Sequence, residues 1–442
     1  MRTALFLFID FLYELGWMLL ALGLLVGVGL LFWNPLGFQF SGVLGLFVDL
    51  IPIWLPITLL FVFWSLWMEY IRAQFIKEQG SILLEVRLPQ EIVRSPRAME
   101  LVFTTLYQTG GPTYIDTYWG GKVKPWFSFE LVSIGGDIHF YIWTQPKYRH
   151  MIETTIYAQY PNVEIHEAED YTRDVKHDSV HEVQWGTYFI LTKPDWYPIK
   201  TYVDYGLDKD PKEELKIEPM SSMLEYLGSL KPGEQAWIQI LIQAHKEEKI
   251  KEGYLFKKKF WKEGAMKEVS KLLSRDPKTK LSSTKIGDLP VSPVLTDEEK
   301  KTADAITRSL EKIPFECAIR GFYISKMESF NSINIPGLIG SFRQYSSNTL
   351  NGFRIGWYTD FDYPWQDFKR VRRNQIERQM LDAYKRRSFF HAPYRYFHQK
   401  PIILTTEELA TIYHFPGEIV QTPTLRRTAS RKGEAPPNLP VS

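Results

Sequence analysis

The stretch WFSFELVSIGGDIHFYIWT, residues 126–144, sets the reading of this chain. Trp126 to Ser133 alternates between the two faces of a strand, and Ile138 to Trp143 alternates again. Gly135-Gly136-Asp137 between them is turn chemistry, so the segment predicts a β-hairpin. Upstream, Ile82 to Leu88 reads as a strand. Ser95-Pro96 opens a helix, with serine as N-cap and proline in the first turn. Met99, Val102, Phe103, Leu106 and Tyr107 continue it as an apolar stripe. Downstream, a helix over 146–159 buries Met151, Ile152 and Ile156, and Val163 to Glu167 closes the unit as a strand. The order β-α-β-β-α-β is ferredoxin-like, so the fold class is α+β. The Gly- and Tyr-rich loop 109–125 is an insertion within it.

A second, less regular copy is expected downstream. Ala236 to Ile242 is a strand. Thr296 and Glu299 form a capping-box pattern that opens a helix through about Lys312. Phe315 to Ser325 is strand-like, Pro336 to Tyr345 helical, and Gly352 to Tyr358 a strand. Residues 168–234 read as a connector holding one strand, Trp185 to Leu191. Residues 246–295 read as an insertion and 370–387 as an exposed helix. The predicted division is an anchor over 1–78, a first subdomain with connector over 79–205, a second over 206–400, and a linker with a disordered tail over 401–442.

The N-terminus predicts a two-helix transmembrane hairpin. Leu15 to Trp33 and Leu50 to Met68 are each nineteen residues without a charge. At about 1.5 Å per residue each reaches roughly 28 Å, close to the hydrocarbon thickness. The spans are placed at about 13–33 and 50–70. Trp33, Trp54 and Trp67 would sit at headgroup level, with Arg72 and Lys77 just beyond. The connecting stretch 34–49 has no Lys or Arg, while Arg2 precedes the first span and Arg72 and Lys77 follow the second. The positive-inside rule then puts both termini and the soluble body in the cytoplasm.

Composition narrows the chemistry. Aromatic residues make up 15% of 442 positions, which supplies large cores and membrane-interface side chains alike. The net charge of +2 conceals segregation: 369–432 holds fourteen Lys and Arg against five Asp and Glu. The single cysteine, Cys317, cannot form an internal disulfide or a zinc site alone, and its apolar setting makes it a core residue. Gly120-Gly121-Lys122 lacks the spacing of a phosphate-binding loop, and no dinucleotide fingerprint or nucleophile elbow occurs. His177 and His181 have the spacing of metal ligands, but in a polar loop. The expectation is therefore a non-enzyme without cofactor or metal.

Two basic stretches invite anionic partners. Residues 246–280 contain twelve Lys and Arg, among them Lys257, Lys258, Lys259 and Lys262, interleaved with aromatics. Arg370, Arg372, Arg373, Lys385, Arg386 and Arg387 lie in the second. Either stretch suits phosphates of lipid or nucleic acid, and either could equally be a solvated helix face.

The C-terminal text Leu404-Thr-Thr-Glu-Glu-Leu-Ala-Thr-Ile-Tyr-His414-Phe415-Pro416-Gly417, then Val420-Gln-Thr-Pro423 and Ala435-Pro436-Pro437-Asn-Leu-Pro440, resembles the junction before the motor in membrane-anchored type IV secretion and conjugation ATPases of the HerA–FtsK class. Ser95 to Glu100, Tyr197 to Tyr202 and Gly233 to Ala236 resemble the same N-terminal region. The chain stops where that family's ATPase core would begin. The resemblance therefore implies a multi-pass scaffold subunit of a bacterial inner membrane. It would work as a homo-oligomer and dock a P-loop ATPase on a separate chain through a motor-proximal motif. The rival readings are a membrane-tethered nucleic-acid-binding protein and a membrane-bound enzyme of unfamiliar type.

Overall fold

The computed structural model describes residues 49–89, 94–108, 113–208, 218–246, 261–272, 296–417 and 427–428. The expected first span, with Trp33, lies outside the described residues, as do Lys257, Lys258, Lys259, Pro436 and Pro437. The chain forms two compact units. One comprises residues 1–78, 112–123 and 247–260, and the other the remainder.

In the first unit, helix α1 (Ile51–Gln79) is continuous through Pro56. Proline removes one backbone donor, and the Thr58 hydroxyl bonds the Trp54 carbonyl in the next turn. Its apolar side chains are mostly exposed, the rest half-buried, with only Met68 and Ile71 buried. Among the described residues it is the one helix long and apolar enough to cross a membrane.

The second unit is mixed α and β. It runs β1 (Ile82–Pro89), α2 (Arg97–Thr105), then, past the short helix α3 (Tyr114–Tyr118) of the first unit, β2 (Trp126–Ile134), β3 (Asp137–Thr144), α4 (Arg149–Gln159) and β4 (Glu164–Ala168). It continues through β5 (Glu182–Leu191), α5 (Ser221–Gly228), β6 (Glu234–Ala244), α6 (Trp261–Leu272), α7 (Asp297–Glu311), β7 (Pro314–Lys326) and α8 (Asn334–Gly340). The last elements are β8 (Phe353–Tyr358), α9 (Val371–Lys385), β9 (Ile402–Thr405), α10 (Thr406–Ile412) and β10 (Arg427–Thr428).

The hairpin 126–144 forms as its pattern dictates. β2 and β3 pair from Ser128 opposite Trp143 to Ile134 opposite Asp137. Gly135 and Gly136 both take positive φ, 61° and 96°, which a side chain would resist. The capping box at Thr296 and Glu299 also forms and starts α7.

One sheet runs in the order β10-β1-β3-β2-β6-β7-β5-β8, with β4 also on β1 and β9 also on β7. The joint is β2 against β6, antiparallel from Trp126 opposite Gln243 to Ile134 opposite Gln235. Nine residue pairs there make one backbone ladder. β5 pairs with β7 and β8, so part of the expected connector is sheet. The stretch after 401 is not a free linker as far as Pro416. β9 pairs with β7, and Leu404, Leu409, Ala410, Ile412, Tyr413 and Phe415 join the core.

Alternation gives the sheet two different faces. Phe127, Phe129 and Leu131 of β2 and Ile238, Ile240 and Ile242 of β6 enter the continuous apolar core, with α2, α5 and α10. The opposite face carries Glu130, Trp237, Gln239 and Arg320, all buried. The face of α9 with Met380, Leu381, Ala383 and Tyr384 is buried as well, so α9 is exposed on one side only.

Candidate functional site

The candidate site is the apolar helix and what packs on it. The insertion 113–122 folds into α3, closed by a reciprocal capping box between Thr113 and Asp116. Within the same unit it forms a collar on the C-terminal half of α1. Trp67 donates its indole N–H to the Tyr118 carbonyl at 3.2 Å. Trp64 lies 5.7 Å from the Tyr118 ring, and Trp67 meets Trp119 edge-on at 6.2 Å. Tyr114, Ile115 and Trp119 remain exposed. Lys122 and Lys77 are exposed and Arg72 half-buried. Four aromatic rings thus gather at one level of an apolar helix, with cations on the side toward its C-terminus. That is the composition of a membrane–water interface.

Gly120-Gly121 owes its glycines to this collar. A Cβ on Gly121 would lie 2.3 Å from the Ile71 carbonyl oxygen, and its φ is +63°. Gly121→Ala is therefore expected to release the collar. With strain of about 1–3 kcal/mol, tryptic cleavage at Lys122 should rise roughly tenfold. The unfolding temperature of the sheet should stay put, and an unchanged cleavage rate would refute the packing.

In the second unit, charges meet in two buried networks. On the polar face of the sheet, Glu130 accepts from Arg387 Nε and one terminal nitrogen at 3.0 Å each. It also accepts from Ser128 at 2.7 Å, Tyr171 at 2.8 Å and Gln239 at 2.9 Å. Arg387 further bonds Asp170. Gln239 passes the network on, accepting from Arg320 at 3.1 Å. Arg320 is completed by Tyr188 and by the carbonyls of Ala383 and Ser388. Burial alone would raise the Glu130 carboxyl, but the Arg387 charge and the hydrogen bonds outweigh it and hold it below the usual range.

The second network surrounds α10. Glu407 accepts from Thr201 at 2.6 Å and Arg308 at 3.0 Å, while Lys312 reaches Glu100 at 2.7 Å. Glu408 accepts only from neutral donors, the Thr405 N–H and hydroxyl at 2.8 Å and the Ile199 N–H at 3.0 Å. Its burial pushes the carboxyl up to about 7.

These networks locate the residues singled out from sequence. His414 faces Glu218 and the Ala410 carbonyl, and Phe415 and Pro416 are buried beside it. The motor-proximal text is thus core packing over its described length. Arg373 pairs with Asp360 and Glu377, Arg386 with Asp382, and Lys385 with the Val175 carbonyl. Arg387, 1% exposed, is closed to any phosphate. Arg370 and Arg372 are exposed, and Lys262 half-exposed. His177 packs near Glu377 and Gln184 while His181 pairs with Asp178, so they do not converge. Among the described residues there is no group of three metal-ligating side chains. Cys317 is buried in the core, as its setting predicts.

Sequence reasoning missed the collar and the two networks. Each joins residues far apart in the chain: Trp67 with Tyr118, Glu130 with Arg387, Thr201 with Glu407. Comparison with curated proteins finds no match. A family profile described as a domain of unknown function matches residues 79–428, the sheet from β1 to β10 with its helices. The chain therefore belongs to the DUF8128 family.

Proposed function

We propose that this chain is a membrane-anchored scaffold that holds its α+β body at a bilayer and docks a separate ATPase. The observation that carries the anchor is α1, apolar and outward-facing over most of its length and ringed by Trp64, Trp67, Tyr118 and Trp119. The expected span at Leu15 to Trp33 would complete a multi-pass hairpin, and Arg72 and Lys77 favour a cytoplasmic body.

For the body we read a duplication. β1–β4 stand in the order β4-β1-β3-β2, and β5–β8 in the matching order β8-β5-β7-β6. Each half then follows the ferredoxin-like path, and the two share an edge through β2 and β6. A scaffold role is supported by where the charges go. Glu130, Arg387 and Arg320 are consumed in holding α9 and the segment after it to the sheet. The ATPase partner and a homo-oligomeric state rest on the resemblance of residues 404–440 alone.

The anchor is tested by fractionation. The full chain should remain in the membrane pellet through alkaline carbonate and high salt and enter solution only with detergent. Recovery in the aqueous phase would overturn the anchor. The docking role is tested by crosslinking in the native membrane, which should recover a P-loop ATPase. ATP turnover by the purified chain alone would overturn the division of labour.

A further inference from the structure

The loop between β8 and α9 has an unusual surface. Tyr363 and Trp365 stack at 4.6 Å with an interplanar angle of 13°. Trp365 is 65% exposed and Phe368 83%, and Val371 also stands out in solvent. Exposed large apolar residues gathered within nine positions mark a contact surface more often than chance does. The acids of the loop are engaged internally. Asp360 pairs with Arg373 at 2.9 Å, Asp367 caps the Arg373 N–H at 2.7 Å, and Asp362 takes the Tyr358 hydroxyl. Arg372 lies over the Phe361 ring and bonds the Gln366 carbonyl. Lys369 and Arg370 are exposed beside the aromatic residues, and Arg370 sits in the left-handed region at φ +54°. The loop therefore presents apolar rings with Lys369 and Arg370 exposed beside them, while over 359–372 three Asp balance three Lys and Arg.

We propose that residues 359–372 are a second lipid contact, inserting Trp365 and Phe368 into the interface of an anionic leaflet while Lys369 and Arg370 meet its phosphates. Aromatic rings prefer the headgroup region, and each surface cation adds attraction to an anionic leaflet. The proposal rests on the anchor reading, which tethers the chain to a bilayer. A nucleic-acid backbone would also satisfy the cations, with bases stacked on Tyr363 and Trp365. The anchor favours lipid, and the test separates the two.

The test places an environment-sensitive fluorophore at Gln366→Cys in the full chain. The one natural cysteine, Cys317, is buried and leaves that thiol selective. The chain is reconstituted in nanodiscs of phosphatidylcholine alone or with phosphatidylglycerol. The expected result is a blue-shifted emission, quenched by brominated acyl chains, in anionic discs. Lys369→Gln with Arg370→Gln should weaken the contact about twenty-five-fold, at about fivefold per cation, returning the emission to its position in detergent. Phe368→Ser should do the same without altering net charge. A chain that enters the discs but keeps a water-like emission in anionic lipid overturns this inference and leaves the anchor standing. A chain that enters no disc overturns both. A blue shift on adding single-stranded oligonucleotide in neutral detergent, with none in anionic discs, overturns lipid in favour of nucleic acid.

Discussion

Replacing Arg387 with methionine should cost the body about 3–5 kcal/mol, the penalty of leaving a buried carboxylate without its ion partner. Glu130 is fully buried, and Arg387 supplies two of its hydrogen bonds. Methionine keeps most of the side-chain volume, so the loss is electrostatic and not a cavity. The melting temperature should fall by roughly 10 °C. The sign with pH is specific. In the parent, Glu130 has a lowered carboxyl pKa, so its contribution is present above the unfolded value and is lost as pH falls through the folded one. In Arg387→Met burial dominates, and Glu130 takes up a proton more readily. The stability gap between variant and parent should therefore narrow on acidification. Adding Glu130→Met should recover most of the loss, since Asp170 is partly exposed and can be solvated. Its neighbour sets the scale: Arg386→Ala breaks an exposed i,i+4 pair with Asp382 and should cost no more than about 0.5 kcal/mol. Denaturant titrations of the four proteins at several pH values make the comparison. An Arg387→Met protein within about 1 kcal/mol of the parent, less than any such penalty, would remove the network from its structural role.

That contrast between adjacent arginines shows where the text was legible and where it was not. Local pattern sufficed for the hairpin 126–144, the helix stripe from Met99 to Phe103 and the capping box at Thr296, because their determinants lie within a few residues. The charge run 369–387 reads as a solvated face, and for Arg386 it is one. Arg387 follows the end of α9 at φ +48°, so helical phase no longer predicts its direction, and its carboxylate lies far upstream on β2. β5 has strand character in its own sequence, but its partners β7 and β8 follow much later, so nothing local marks its place in the sheet. Residues 404–416 precede a proline-rich tail and resemble a junction, yet their apolar positions are taken up by the core. For the candidate site, the apolar length of α1 and its tryptophans were readable. The collar was not, since Gly121 matters only because the Ile71 backbone lies against it.

Glu408 should make the fold less stable as pH rises through neutrality, opposite to the behaviour that Glu130 imposes. Burial raises its carboxyl to about 7, and the charge of adjacent Glu407 adds to the rise. Hydrogen bonds from Thr405 and Ile199 lower it again but bring no cation. The Thr405 hydroxyl can accept as well as donate, so it can receive the carboxylic proton. Below an unfolded value of about 4.5 both states hold the proton and the group is silent. Between there and about 7 the folded state keeps a proton that the unfolded chain releases, so stability declines with each step in pH. The span corresponds to roughly 3 kcal/mol, complete just above pH 7. Glu408→Gln should abolish this slope. The amide is not silent in absolute terms, because its N–H groups face donors, so the measurement is the change in the stability difference from pH 5 to pH 8. That difference should shift by roughly 2.5 kcal/mol in favour of the glutamine variant. A difference constant with pH would mean that Glu408 ionises in the core as easily as in water. The seat of α10 would then tolerate a charge that its neutral donors give no reason to expect.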